Sequence, residues 1–242
     1  MITITKKISL LIISASYLFV SSCSSSNTTP NTLTEAEKSE GWELLFNGQD
    51  LNNWHLYNNP SFKGAWYVQD GAIKANPDEP GKRADLVSNN DYENYELQFE
   101  WKLAKEGNSG VFINVFEHDT LATAWMSGPE YQLLEDSHPD FDKPLKKAGT
   151  LYAFTPQKNL ANTKLVGEWN RSRILQENGV IKFYLNGILT AEMDFKTPQW
   201  KEAITRSSFK DKPEFGLRTK GKIALQDWAN GVSFRNIKIR EI

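Results

Sequence analysis

Apolar and polar residues alternate with a period of two along most of this chain. Between residues 95 and 103, Tyr, Leu, Phe, Trp and Leu alternate with Glu, Gln, Glu and Lys, which is the pattern of a strand with one buried face. Asp70-Gly71 and Asn186-Gly187 favour tight hairpin turns between neighbouring strands. Similar patterns predict further strands at 42–46, 66–68, 72–74, 109–116, 130–135, 150–154, 169–176, 180–185, 188–191, 222–227 and 232–240.

Signals for helices are scarce. Thr34 with Glu37 has the pattern of a capping box for a short helix near 35–40. Thr197-Pro198 predicts a helix over about 198–207, because proline is favoured at the first helical position. Many short antiparallel strands with one or two short helices predict an all-β fold, a two-sheet jelly-roll sandwich whose concave face could form a cleft.

The first residues have the layout of a signal peptide. Lys6 and Lys7 precede an apolar stretch from Ile8 to Val20, which is too short to span a membrane comfortably. Val20-Ser21-Ser22-Cys23 is similar to a bacterial lipoprotein signal, so we expect a lipid on Cys23; an ordinary secretory signal with a chance cysteine is the alternative. This divides the chain into a signal (1–23), a tether with a short helix (24–39) and one domain (40–242), anchored by the lipid and facing the periplasm.

The composition narrows the possible chemistry. Cys23 is the only cysteine, so the remaining chain has neither a disulfide nor a thiol nucleophile. The 8 Trp, 13 Phe and 8 Tyr residues are enough for a substantial core. A net charge of −2 without a basic cluster gives no reason to expect a nucleic-acid partner.

A polar row on an otherwise strand-like segment is the best clue to function. In a strand, Glu130, Gln132 and Asp136 would share one face. Because buried carboxylates are costly without partners, that face indicates either a polar cleft or a solvated surface. Residues six apart cannot supply the carboxyl pair of a retaining glycosidase, which needs a separation of ~5.5 Å. An ordinary two-carboxylate mechanism would therefore need a partner from elsewhere.

Other polar groups are candidates for substrate binding. Asn108 and Ser109 either bond sugar hydroxyls or only satisfy a turn. His138 is either a general base or a solvated loop residue. The parity of apolar positions changes beside Arg235, which predicts a bulge and a possible carboxylate partner in the cleft floor. Near the end of the chain, Gln226-Asp227-Trp228 places an indole after an amide and a carboxylate. This combination suits a sugar, and a core position for Trp228 is the alternative.

The ordered motifs together resemble the 3-keto-disaccharide hydrolase family. The resemblance covers nearly all of residues 40–242. It rests on 41–48 (GWELLFNG), Leu51 with Trp54, 66–71, 108–112 (NSGVF), 128–132 (GPEYQ), 167–170 (GEWN), 225–227 (LQD) and 234–237 (FRNI). It implies a concanavalin-like jelly roll that acts on glycosides whose C3 hydroxyl has been oxidised by a partner oxidoreductase.

Such a substrate needs only one base, since a C3 ketone acidifies the C2 proton and the enolate can expel the C1 aglycone before water adds. The resemblance then suggests Glu130 or Asp136 as base, Gln132 and Asn108 as donors, and Gln226 with Asp227 as positioning groups. Whether a divalent ion stabilises the enolate is left open. Many members of that family carry histidines where this chain has Trp228 and Lys222. If either histidine is catalytic there, its role in this chain is vacant or has moved to His138.

Two other interpretations remain at this point. The first is a non-catalytic carbohydrate-binding lipoprotein on the same fold, in which Trp66, Trp228 and the polar face bind a glycan. The second is an ordinary retaining glucanase, which the carboxylate spacing disfavours.

Overall fold

Two antiparallel sheets pack face to face in this computed structural model, which describes residues 29–59, 64–76 and 83–242. The all-β sandwich with few helices is therefore confirmed. The signal segment and Cys23 lie outside the described residues. Within the described ranges, no helix is long and apolar enough to cross a membrane.

The larger sheet has eight strands in the order β11-β10-β9-β6-β13-β4-β3, with β1 paired to β13. Asp70-Gly71 and Asn186-Gly187 form its hairpin turns with positive φ angles, as predicted. The strands are β1 (Glu43–Leu44), β3 (Trp66–Gln69), β4 (Ala72–Ala75), β6 (Tyr95–Leu103), β9 (Asn170–Glu177), β10 (Val180–Leu185), β11 (Ile188–Asp194) and β13 (Val232–Glu241).

The smaller sheet has five strands in the order β2-β5-β12-β7-β8. The alternation of apolar residues did not predict β2 and β5, because each has only three residues. The strands are β2 (Trp54–Leu56), β5 (Leu86–Ser88), β7 (Asn108–Val115), β8 (Glu130–Leu134) and β12 (Lys222–Leu225).

The inner faces of the two sheets form one hydrophobic core. Tyr131 of β8 is fully buried and packs edge-to-face on Phe99 of β6, with ring centroids 5.7 Å apart. Its hydroxyl donates to Tyr184 O at 3.0 Å and lies 2.7 Å from Ser172 Oγ. The buried hydroxyl of Tyr131 is thus hydrogen-bonded to the larger sheet, which helps to fix how the smaller sheet sits on it.

The outer face of the smaller sheet carries a second, smaller apolar cluster around Phe112. A short 3₁₀ helix, Ala124–Met126, contacts β7 and contributes Ala124 to this cluster. Part of the face is therefore covered, and the rest, along β8, is left for a cavity.

Both predicted helices are present, as α1 (Glu35–Ser39) and α2 (Pro198–Arg206), each with its predicted threonine cap. The strand predicted at 150–154 is wrong, because Leu151 makes only an isolated bridge to Tyr131 before the chain turns. Part of the segment expected to be a tether contacts the domain. Asn31 bonds reciprocally with Asn236 in the β13 bulge, so the chain is docked on the larger sheet from there onward.

Candidate active site

Strand register aligns two rows of side chains across the outer face of the smaller sheet. One row runs Val87, Ala224, Phe112 and Glu130, each paired with the next across β5, β12, β7 and β8. A second row lies next to the first, two residues away along each strand, since side chains at i and i+2 share a face. It contains Asp85 just before β5, Gln226 just after β12, Gly110 of β7 and Gln132 of β8. The first row is mostly apolar, and the second is polar apart from its glycine.

The glycine in the second row makes room for the Glu130 side chain. A Cβ added at Gly110 would lie 2.1 Å from Glu130 Oε1 and 2.8 Å from its Cγ. The Glu130 side chain therefore leans from β8 across the backbone of β7, towards β12 and β5. In Asn108-Ser109-Gly110, the missing side chain of Gly110 is therefore as important to the site as the polar groups before it.

Glu130 is a buried carboxyl without compensating hydrogen bonds. Its exposed fraction is 9 %, and no group in the described residues donates a hydrogen bond to its carboxyl oxygens. Burial raises the pKa of Glu130 well above its usual range, and the nearby Asp85 charge raises it further. A carboxyl in such surroundings becomes a strong base once it is ionised.

A cavity of about 400 Å³ opens over this face, within the size range of small-ligand sites. Glu130, Gln132, Asn108 and Gln226 line it on the sheet side. The other lining residues come from loops and from the segment after α2, and they are Trp125, His138, Asp140, Lys146, Tyr152, Ser208, Phe209, Lys212 and Trp228.

Aromatic side chains form the apolar wall of the cavity. Trp125 packs edge-to-face on Phe209, whose ring stacks on Phe215 with centroids 4.0 Å apart. Trp228 is 58 % exposed at the rim. An exposed indole beside polar groups suits stacking against the apolar face of a sugar ring.

His138 and Asp140 sit on the loop side of the cavity. The backbone N–H of Asp140 donates to His138 Nδ1 at 3.0 Å. Nδ1 is then an acceptor, so the neutral ring carries its proton on Nε2. Hydrogen bonds from Lys143 and Lys146 lower the pKa of Asp140 to about 2, which keeps this carboxylate ionised and makes it a weak base.

The amides on the sheet side are arranged as hydrogen-bond donors and acceptors. Gln132 Nε2 donates to Asn108 Oδ1 at 3.0 Å, which leaves the Asn108 amide N–H groups available. Gln226 Oε1 is buried and has no partner among the described residues. A buried amide oxygen without a donor is costly, and a substrate hydroxyl would satisfy it.

The model of a family described as a 3-keto-alpha-glucoside-1,2-lyase-like domain matches residues 41–240. The chain belongs to the 3-keto-alpha-glucoside-1,2-lyase-like family. The predicted family is thereby confirmed.

Several known proteins are similar to this chain in sequence or in fold. A 3-keto-disaccharide hydrolase from Bacteroides thetaiotaomicron is 31% identical over 228 residues, which are 83% of this chain and 78% of that protein. A candidate glycosyl hydrolase from Parabacteroides distasonis has a crystal structure that superposes with a TM-score of 0.81 at 32% identity, over 88% of this chain and all of that one. A second from the same organism gives 0.63 at 28% identity, over 83% and 99%.

The structure brings six of the predicted site residues together at the cavity: Asn108, Glu130, Gln132, His138, Gln226 and Trp228. Asp136 is not among them, and its expected position was wrong. Strand β8 ends at Leu134, so Asp136 lies exposed in a turn, where it accepts a hydrogen bond from Thr163.

Two further predicted positions lie near the cavity without lining it. Ser109 points to the opposite face from Glu130, is fully buried and donates to Gln226 O at 2.8 Å, so it holds the end of β12 in place. Asp227 is buried, and its backbone N–H donates to Asp85 Oδ1 at 3.3 Å. Burial raises the pKa of Asp227, and Arg83 opposes that effect.

The predicted sites at Trp66 and Arg235 were wrong in location. Trp66 is a core residue on β3 of the larger sheet, and its indole N–H donates to Ala84 O at 2.7 Å. The bulge beside Arg235 is present. Its guanidinium, however, bonds Glu100 at 2.7 Å and stacks 4.2 Å from the Trp169 ring centroid, on the outside of the larger sheet.

Sequence reasoning missed Asp85, Trp125, Tyr152 and Phe209. Asp85 precedes a three-residue strand, whose pattern is too short to detect. Trp125 and Phe209 lie in segments without periodicity, and Tyr152 lies in the segment 150–154 that was wrongly predicted to be a strand. The described residues include no group of three or more His, Cys, Asp or Glu side chains arranged to hold a metal ion.

Proposed function

We propose that this chain cleaves glycosides whose C3 hydroxyl group has been oxidised to a ketone, with Glu130 as the base that removes the C2 proton. The observation that carries the proposal is the position of Glu130, buried at the floor of the cavity with a raised pKa and space provided by Gly110. The family and the relative named as a 3-keto-disaccharide hydrolase support the same substrate class.

The reaction is an elimination followed by hydration. Glu130 takes the proton from C2, and the electron pair enters the C3 carbonyl as an enolate. The enolate collapses as the C1–O bond breaks, and the departing oxygen takes up a proton. Water then adds its oxygen to C1, and C2 is protonated again, so the net change is hydrolysis.

The surrounding groups have matching tasks. The Asn108 amide and the His138 Nε2–H are the donors available to the enolate or to sugar hydroxyls. Gln226 Oε1 is an acceptor for a hydroxyl, and Trp228 at the rim offers a stacking surface for the aglycone.

The two-carboxylate mechanism of ordinary glycosidases has less support. Asp140, the other carboxylate on the cavity, is held ionised by two lysines and is a poor proton donor. With a single effective base, the substrate must already carry the ketone, so an oxidoreductase acting on the C3 hydroxyl has to precede this enzyme.

The test compares a 3-keto-disaccharide with its unoxidised parent, using the wild-type protein, Glu130→Gln and, as a matched control, Glu177→Gln at an exposed strand end. We expect sugar release from the keto form only, lost in Glu130→Gln and retained in the control. Binding without release would favour the carbohydrate-binding alternative, and cleavage of the parent would favour a glucanase. Chelation and readdition of divalent cations will show whether a metal ion takes part.

The proposal also keeps the lipid anchor on Cys23 and a periplasmic orientation, both of which rest on the sequence. Labelling of cells with an alkyne fatty acid should mark the wild-type protein and not Cys23→Ser. Equal labelling of both proteins would show that Cys23 does not carry the lipid.

A further inference from the structure

Asp85 is a buried carboxylate that lies just behind the cavity and takes no part in the reaction described above. It is 8 % exposed and immediately precedes β5. Its Oδ2 accepts the backbone N–H of Ala124 and its Oδ1 that of Asp227, each at 3.3 Å. Two backbone donors fix the orientation of the carboxylate and favour its ionised form.

The sheet directs Glu130 towards this carboxylate. Asp85 and Gly110 belong to the same row, and the Glu130 side chain leans across Gly110 from the strand beyond it. No side chain at Gly110 screens the two carboxyls from each other. Electrostatic contact between them follows: the Asp85 charge raises the pKa of Glu130, after the larger effect of burial.

The hydrogen bonds decide which carboxyl keeps a shared proton. Asp85 receives two backbone N–H bonds, whereas Glu130 receives none from the described residues. Burial, with a smaller contribution from the nearby Asp227 charge, raises the pKa of Asp85 to about 7, whereas burial and the Asp85 charge raise the pKa of Glu130 well above its usual range. With one proton between them, the charge resides on Asp85 and the proton on Glu130.

We propose that Asp85 is a positioning residue for the base, whose negative charge behind Glu130 keeps Glu130 protonated between elimination and hydration. The inference rests on the proposed function. Glu130 takes a proton from C2 during elimination, exchanges it with solvent while the aglycone leaves and water enters, and gives a proton to C2 during hydration. No other reactant is needed beyond the water that adds to C1.

Other charged or titratable groups lie near Asp85 and Glu130, in two sets. Those lining the cavity with Glu130 are His138, Asp140, Lys146, Tyr152 and Lys212. Those near Asp85 on the other side are Tyr57, Arg83 and Asp227. The Asp85 carboxylate is the charge that acts on Glu130.

The test is the pH profile of kcat/KM for a 3-keto-disaccharide in Asp85→Asn, with Asp85→Glu as the variant that keeps the charge and Glu177→Gln as control. In Asp85→Asn, we expect the acid limb to move to lower pH by about one unit or more and the plateau to fall about tenfold, because Glu130 becomes a weaker base. Asp85→Glu should keep the acid limb near its wild-type position. A uniform loss of activity in Asp85→Asn with an unmoved acid limb would overturn the proposal.

An infrared measurement separates this inference from the proposed function, since it needs no substrate. The carboxylic acid band of Glu130, assigned by its loss in Glu130→Gln, should persist to higher pH in wild type and Asp85→Glu than in Asp85→Asn. Should Asp85→Asn fail to fold, the comparison of wild type with Asp85→Glu remains. A band that titrates near pH 4.5 in wild type would refute the shared proton even if the enzyme is active.

Discussion

Replacing Gly110 with alanine tests whether Glu130 occupies the space that this glycine leaves open. The added Cβ would lie 2.1 Å from Glu130 Oε1, 2.7 Å from Cδ and 2.8 Å from Cγ, so the buried side chain must move. The φ angle of Gly110 is one that alanine adopts, so the substitution should not strain the backbone. We expect the fold to survive and Glu130 to lose its position.

The magnitude follows from two opposing effects. Overpacking against Glu130 should cost about 1–3 kcal/mol. Alanine also lowers the conformational entropy of the unfolded chain, which should stabilise the folded protein by about 0.4–1 kcal/mol. In a Glu130→Ala background only the second effect remains, so the double-mutant cycle should show a coupling energy of about 1–3 kcal/mol. Displacing the base by about 1 Å should lower kcat about 100-fold.

Urea unfolding of the four proteins in the cycle gives the coupling energy, and kcat for a 3-keto-disaccharide gives the effect on the reaction. Gly110→Ala with normal kcat, and with the same change in stability in both backgrounds, would refute the arrangement of Glu130 over Gly110.

Three further predictions concern single side chains. The pKa of Glu130 is raised on folding, so the native state loses stability as the pH rises past 4.5 towards the raised value. Glu130→Gln should therefore increase Tm more at pH 8 than at pH 4. Equal increases in Tm at the two pH values would contradict this. Trp228→Ala should raise KM about fivefold, for about 1 kcal/mol of lost stacking, with kcat nearly unchanged; a loss confined to kcat would exclude a stacking role. Asp136→Asn should keep kcat/KM within about twofold, and a large loss would restore Asp136 as a catalytic candidate.

Alternation along the strands was sufficient to predict the fold class and the face that carries the site. Glu130 and Gln132 share a face because β8 is regular up to Leu134. Extending that parity to Asp136 failed, because Glu135 ends the strand: its carboxylate accepts the backbone N–H of Glu106 at 2.7 Å and that of Ser137 at 3.1 Å. The alternation of apolar and polar residues does not reveal a turn that is stabilised by a side chain.

Other parts of the site depend on contacts between distant segments. The change of parity beside Arg235 predicted the bulge, but alternation does not reveal which face of the larger sheet a residue occupies. Asp85 reaches the site only because β5, β12, β7 and β8 are neighbours. The role of Gly110 was also hidden, since the sequence cannot show that a carboxylate from another strand fills the space above it.

In the proposed reaction, cleavage begins with removal of the C2 proton. In heavy water, the 3-keto sugar released from a 3-keto-disaccharide should carry deuterium at C2, because the proton on Glu130 exchanges with solvent while the aglycone leaves and water enters. Substrate incubated without enzyme, and with Glu130→Gln, corrects for spontaneous exchange beside the ketone. Release of the sugar with ordinary hydrogen retained at C2 would contradict the account, since the C1–O bond would then break without an enolate.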